Sequence, residues 1–222
     1  MKFTRVLFLI LLLAASSLAQ FPTTSILDNF NRANENPLGG GWSAGPFWNG
    51  DGLHQIISNQ VTAASSGFRD AVWNTNFGVD QEVYITIPTV STLTSIGLYC
   101  RGTGENSPGF TNGYIIADFT RASGATKIDT TNTPDLATGT VSGGILDGDS
   151  IGLSCVGTAI KVYHKPSAGA WTQIISATTS DQNVSGKLAF TTDSAAAFRV
   201  DDFGGGDVSG GAAPRRVMNI SK

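Results

Sequence analysis

GDSIGLSCVGTAIKVYHKPSAGAWTQIIS, running from Gly148 to Ser176, decides the fold class. Ile151, Leu153 and Cys155 alternate with Ser150, Gly152 and Ser154; Gly157-Thr158 turns the chain; Ile160 and Val162 then alternate with Lys161, Tyr163 and Lys165. This is the period of a β-hairpin with one apolar face. A second turn over Pro166 to Gly169 leads into a third short strand, Trp171 to Ser176. A hairpin that is greasy on one side is not stable alone in water, so the rest of the chain must supply a facing sheet.

The same alternation recurs on both sides of this stretch. Glu82 to Ile87 (EVYITI) turns Val83, Ile85 and Ile87 inward and Tyr84 and Thr86 outward. Ile96, Leu98 and Cys100 repeat it, leaving Tyr99 and Arg101 on the opposite face; Tyr114 to Thr120, Lys127 to Thr130, Leu188 to Thr191 and Ala197 to Phe203 are further strands. Ile26 to Phe30 opens the series, Leu53 to Ala63 and Arg69 to Trp73 are weaker strands, and the Gly-rich, Pro-containing Asn31 to Gly52 reads as loop. No segment carries helical periodicity with caps. The expectation is an all-β, two-sheet antiparallel β-sandwich, or jelly roll. DNF at Asp28 to Phe30 and DDF at Asp201 to Phe203 suggest first and last strands lying side by side.

The chain has 222 residues, 27 of them Gly, and only 14% are charged, which suits one domain with many tight turns. Lys2 and Arg5 precede an apolar run from Val6 to Ala14, and Ser17-Leu18-Ala19 supplies small residues for a signal peptidase. Residues 1–19 are therefore expected to be a signal peptide, 20–206 the sandwich, and 207–222 a flexible C-terminal tail. Cleavage leaves a secreted, extracellular or periplasmic chain of 203 residues; loss of Lys2 and Arg5 takes the formal charge from −3 to −5. The apolar run is short for a membrane span, and such a charge does not attract nucleic acid. Cys100 and Cys155 occupy matching contexts, SIGLYCRG and SIGLSCVG, and are expected either as a disulfide, permitted by export, or as two buried thiols.

The order DNFNRA with PLGGGW, FGVDQEV, GLYCR, GDSIGLSCVGTAIKVY, GKLAF and RVDDFGGG resembles the concanavalin A-like lectin/glucanase jelly rolls, in their LamG-like form. The resemblance covers nearly all of residues 26 to 206. It implies two antiparallel sheets, a core position for Trp42, and a structural calcium near the paired termini, with Asp28 and either Asp201 or Asp202 as ligands. Asp51 and the pair Asp147 and Asp149 are alternative oxygen donors that otherwise read as turns. It leaves the ligand open, because one fold hosts many functions.

Catalysis finds little support. Glycoside cleavage needs two carboxylates across a groove, yet the three Glu, Glu35, Glu82 and Glu105, are scattered, and the alternating acidic strand of the related glucanases is missing. Gly41 to Gly45 matches G-x-S-x-G, but its flanks are loop and only His54 and His164 are available as bases. His54 reads as a loop-edge residue and His164 as the inward end of a strand. Sugar binding would use aromatic faces with polar neighbours; Trp48, beside Phe47, and the group Tyr99, Arg101 and Tyr114 are the candidates. Asn183-Val-Ser and Asn219-Ile-Ser fit the glycosylation triplet. The leading expectation is a secreted, non-catalytic module that binds an extracellular glycan or surface protein. A self-assembling coat, matrix or filament subunit and a polysaccharide-cleaving glycosidase are the alternatives.

Overall fold

A computed structural model of the chain describes residues 20–44, 54–105, 110–194 and 197–209. The strands are β1 (Ile26–Asp28), β2 (Trp42–Ala44), β3 (His54–Ile57), β4 (Gln60–Ala63), β5 (Gly67–Trp73), β6 (Gln81–Thr89), β7 (Leu93–Glu105) and β8 (Phe110–Thr120). They continue with β9 (Ala125–Thr130), β10 (Ala137–Thr140), β11 (Asp149–Val156), β12 (Ala159–Lys165), β13 (Thr172–Thr178), β14 (Lys187–Ser194) and β15 (Arg199–Asp207). One sheet has the order β13-β12-β11-β6-β15-β4-β3 with β1 added on β15; the other has the order β10-β9-β8-β7-β14-β5-β2. The expected two-sheet antiparallel sandwich is the fold, and no helix occurs among the described residues.

The quoted hairpin sets the register of the first sheet. Leu153 lies opposite Val162 on β12 and Val83 on β6, and Ile151 opposite His164 and Ile85. A slip of one residue would turn this whole set outward. Ile151, Leu153, Cys155, Ile160 and Val162 are buried in one cluster with Ile96, Leu98 and Cys100 of β7 and Ile115, Ala117 and Phe119 of β8. Each such aliphatic or aromatic side chain contributes about 1.5–3 kcal/mol on leaving water.

The first and last described strands pair with one another, Ile26 opposite Gly204 and Asp28 opposite Phe203. β15 runs further than the sequence suggested. Gly204 lies beneath the Tyr84 ring, where a Cβ would collide with it, and Asp207, expected to begin the tail, ends the strand and accepts a hydrogen bond from the Gly78 amide at 2.5 Å. Residues 210–222 and the expected signal peptide lie outside the described residues.

The DNFNRA segment is a folding device. Asp28 accepts two hydrogen bonds from Arg32 Nη1 at 2.8 and 2.9 Å, one from Trp42 Nε1 at 2.7 Å and one from the Phe30 amide at 2.8 Å. Arg32 Nε also donates to Glu35 Oε1 at 3.0 Å, which receives the Gly39 amide at 2.9 Å. Trp42 was expected in a loop, yet it opens β2, paired with Trp73 of β5. Its place in the core is as the resemblance implied.

Candidate functional site

Tyr99, Arg101 and Tyr114 do not form the open platform anticipated from alternation. Tyr99 and Tyr114 do meet, edge to face with centroids 5.7 Å apart, but Tyr99 is 5% exposed and packs with Phe110, Ile116, Val72 and Ala189. Arg101 leaves them altogether. Its φ of 57° and the bulge after Cys100 break the period of two, and the fully buried guanidinium donates from Nε to Val79 O and from Nη2 to Gly157 O, both at 2.8 Å. It braces β7 against the turn of the opposite sheet and is no ligand contact. Trp48, Phe47 and Asp51 lie outside the described residues.

The calcium expectation fails at Asp28, whose oxygens are taken by Arg32, Trp42 and a backbone amide. Asp202 has a left-handed φ of 48° and its amide donates to Asp201 Oδ1 at 2.9 Å. Burial, above all, pushes the Asp201 carboxyl above its ordinary range. The alternatives are engaged as well: Asp147 accepts the Val90 amide, and Asp149 accepts the amides of Leu146 and Ser167. No group of three His, Cys, Asp or Glu among the described residues is arranged to hold a metal, so these residues do not fit the ion. Chelation by EDTA is expected to leave the thermal midpoint unchanged in a melting scan; a fall of several degrees would overturn this.

Cys100 and Cys155 are two buried free thiols, not a disulfide, on strands of opposite sheets. Burial first, and then the neighbouring Cys155, pushes the Cys100 thiol well above its ordinary range.

No hydrolytic relay is assembled around Ser43 among the described residues. Ser43, His54 and Asp70 line one small cavity of about 190 Å³, but Ser43 Oγ reaches only Val72 O at 3.5 Å, while His54 Nε2 lies 3.1 Å from Thr192 Oγ1. His54 is a core residue of β3, not a loop edge. Burial, then the positive charge of Arg69, lowers its pKa to about 3, which removes it as a base that cycles near neutrality. His164 bonds to Asp149 at 2.8 Å at the end of the β11–β12 hairpin.

The outer face of the first sheet holds a more open constellation, in three rows across β6, β11 and β12. Glu82, Ser154 and Lys161 form the first, Tyr84, Gly152 and Tyr163 the second, and Thr86, Ser150 and Lys165 the third. The segment before β1 lies across them. Phe21 sits over Gly152, stacks on Tyr163 with centroids 4.1 Å apart and planes 4° apart, and meets Trp171 edge-on at 4.9 Å. The amides of Thr23 and Thr24 donate to Glu82 Oε1 at 2.5 and 2.6 Å, their hydroxyls reach the same oxygen at 3.1 and 2.8 Å, and Tyr84 OH donates to Thr24 O at 3.1 Å.

Beside this strap a cavity of about 290 Å³ is lined by Phe21, Thr23, Glu82, Ser154, Lys161 and Tyr163. Burial, then the Glu82 carboxylate, pushes the Tyr84 and Tyr163 phenols up, so both are neutral hydroxyls at pH 7. Aromatic rings beside hydroxyl, carboxylate and ammonium groups can meet both faces of chemistry a sugar presents. A cleft of about 330 Å³ on the other sheet, lined by Asp118, Thr120, Thr126, Lys127 and Thr138, has no aromatic wall.

Phe21 lies ahead of Ile26 to Phe30, where the series of expected strands opens, and the visible signal was Gly152, a gap between two outward tyrosines. Gly152→Ala is expected to drive the Phe21 ring off Tyr163, costing about 1–3 kcal/mol and opening residues 20–24 to limited proteolysis. A variant as resistant as the parent would refute that packing.

No family model and no curated protein sequence matches the chain. Solved structures match it in shape. Lectin II from Ulex europaeus superposes with a TM-score of 0.57 at 9% identity, covering 79% of this chain and 98% of its own. The carbohydrate binding module CBM66 from Bacillus subtilis gives 0.53 at 13% identity, covering 72% and 95%. The exoplasmic/lumenal domain of VIP36, in a Ca2+/Man2-bound form, gives 0.58 at 11% identity, covering 86% and 90%. At such identities the likeness is one of architecture, and the chain has the concanavalin A-like lectin fold.

Proposed function

We propose that the chain is an exported, non-catalytic carbohydrate-binding module whose ligand lies on the outer face of the β13-β12-β11-β6 half of the first sheet. The observation that carries this reading is the half-exposed Tyr163, stacked on a Phe21 that Trp171 meets edge-on, beside a cavity edged by Ser154, Lys161 and Thr23. Pyranose rings stack on such aromatics while their hydroxyls bond to the polar rim. A lectin, a carbohydrate binding module and a mannose-bound domain among the structural matches support it by analogy of fold. The absence of catalysis is supported by Glu82, whose Oε1 is saturated by four donors and has no second carboxylate facing it in the cavity lining.

Calorimetric titration with a panel of soluble polysaccharides tests this. At least one polymer is expected to bind, and Tyr163→Ala and Trp171→Ala each to weaken it about tenfold, equivalent to 1.4 kcal/mol. Silence across the panel, or reducing sugar released from a bound polymer, would overturn it.

A further inference from the structure

The cations of this chain are mostly tied down. Arg32 is paired with Asp28 and Glu35, Lys127 with Asp129 and Asp135, and Arg101 is buried on backbone carbonyls. Lys161 and Lys165 differ. Both project from the outer face of β12, both are half-exposed, and neither forms an ion pair among the described residues. Tyr163 stands between them on the same face, because residues two apart on a strand share a side. At about 3.3 Å per residue the two lysines are roughly 13 Å apart along the strand, a span that a polymer bridges and a single small anion does not.

Their surroundings are hydroxyl and amide groups: Ser154 and Ser176 lie opposite Lys161, Ser150 opposite Lys165, and Gln173 opposite Tyr163. Glu82 lines the same cavity as Lys161, whereas the other carboxylates of this face lie beyond β6, on β15. Glu82 is bound by the strap, and Asp201 and Asp202 belong to β15, with Asp201 opposite Thr86. In a chain of net charge −3, the aromatic half of the face is thus its cationic half.

We infer that the polysaccharide bound on this face is anionic, carrying carboxylates or sulfates along its backbone, with a ring packed against the open edge of Tyr163 and acidic groups meeting Lys161 and Lys165. This rests on the carbohydrate-binding reading and narrows it. Neutral hydroxyls accept hydrogen bonds from the two ammonium groups but leave their charge unmatched, whereas a polyanion pairs with both and gains from the counterions released.

The test compares polygalacturonate, dextran sulfate and neutral dextran by calorimetry with the full mature chain at low and raised salt. One or both anionic polymers should bind at least tenfold more tightly than dextran, with affinity falling as salt rises; which of the two binds more tightly separates carboxylate from sulfate recognition. The double variant Lys161→Gln/Lys165→Gln should lose at least tenfold on the preferred polymer with its thermal midpoint unchanged, while Lys127→Gln, a lysine on the other sheet, should lose almost nothing. Equal binding of dextran, or equal losses from the Lys127 variant, would overturn the inference and leave carbohydrate binding standing. No binding to any of the three, together with binding to a neutral polymer of the wider panel, would overturn it in the same way; silence everywhere removes both.

Discussion

Trp42→Ala is expected to destabilise the protein by about 3–5 kcal/mol, the usual cost of emptying a large aromatic site. The ring is 6% exposed and is gripped from both layers: Phe190 of β14 lies 5.3 Å away centroid to centroid and Phe203 of β15 4.7 Å, with Trp73 at 5.3 Å and Phe30 at 5.8 Å. Its Nε1 also holds the Asp28 carboxylate at 2.7 Å. Truncation therefore opens a cavity between the sheets and removes a donor from a carboxylate that then relies on Arg32 and the Phe30 amide. Trp42→Phe separates the two effects, since it keeps most of the apolar area and loses the hydrogen bond, a loss of about 1.5–3 kcal/mol for a charged acceptor. Urea unfolding followed by tryptophan fluorescence measures both, and a cost under 1 kcal/mol for the alanine variant would show that Trp42 does not join the layers.

The second large effect is a loss of stability in acid that runs through His54. In the folded protein its pKa is about 3, because burial excludes the charged form and the positive charge of Arg69 adds to that exclusion; the ordinary value is 6.5. The unfolded chain binds a proton near pH 6.5 that the folded chain refuses until about pH 3, so unfolding gains free energy as pH falls through this window. Above pH 6.5 both states are neutral at this residue and the effect vanishes. Between pH 7 and pH 4 the contribution is on the order of 3 kcal/mol, a large share of the 5–15 kcal/mol typical of a domain. His54→Leu removes the titrating ring but keeps the apolar contacts with Phe190 and Phe198. Its stability at pH 7 should fall through loss of the Thr192 contact, and its further loss on going to pH 4 should be smaller than the parent's by that amount. Parallel acid limbs for the two proteins would mean that His54 is not the group that titrates.

Much of this architecture was readable from alternation. The β11–β12 hairpin, the inward sets of β6 and β7 and the meeting of the terminal strands follow from period-two burial and from DNF answering DDF. β2 was obscured because glycine and proline around Trp42 look like loop, whereas the pairing partner that makes a strand there, β5, is remote in sequence; β3 and β4 lie within the single weaker strand read over Leu53 to Ala63. The candidate site was legible only in part. Alternation says that Tyr84, Tyr99 and Tyr163 point away from the core, but not what lies on top of them: Phe110 and Tyr114 cover Tyr99, while Tyr163 keeps an open edge beside the Phe21 stack. Arg101 was misread because one left-handed residue reverses every inside-outside assignment beyond it, and nothing in GLYCRG announces the reversal. The expected calcium gave way to Arg32, a cation already built into the chain four residues from Asp28.

The pairing of β1 with β15 also bears on timing. The first described strand finds its neighbour only when the last described strand has appeared, and the strap over Tyr163 needs β6, β11 and β12 in place beneath it. Contacts this remote along the chain slow the final closure. The first sheet therefore lacks a middle strand, between β6 and β4, until β15 is in place.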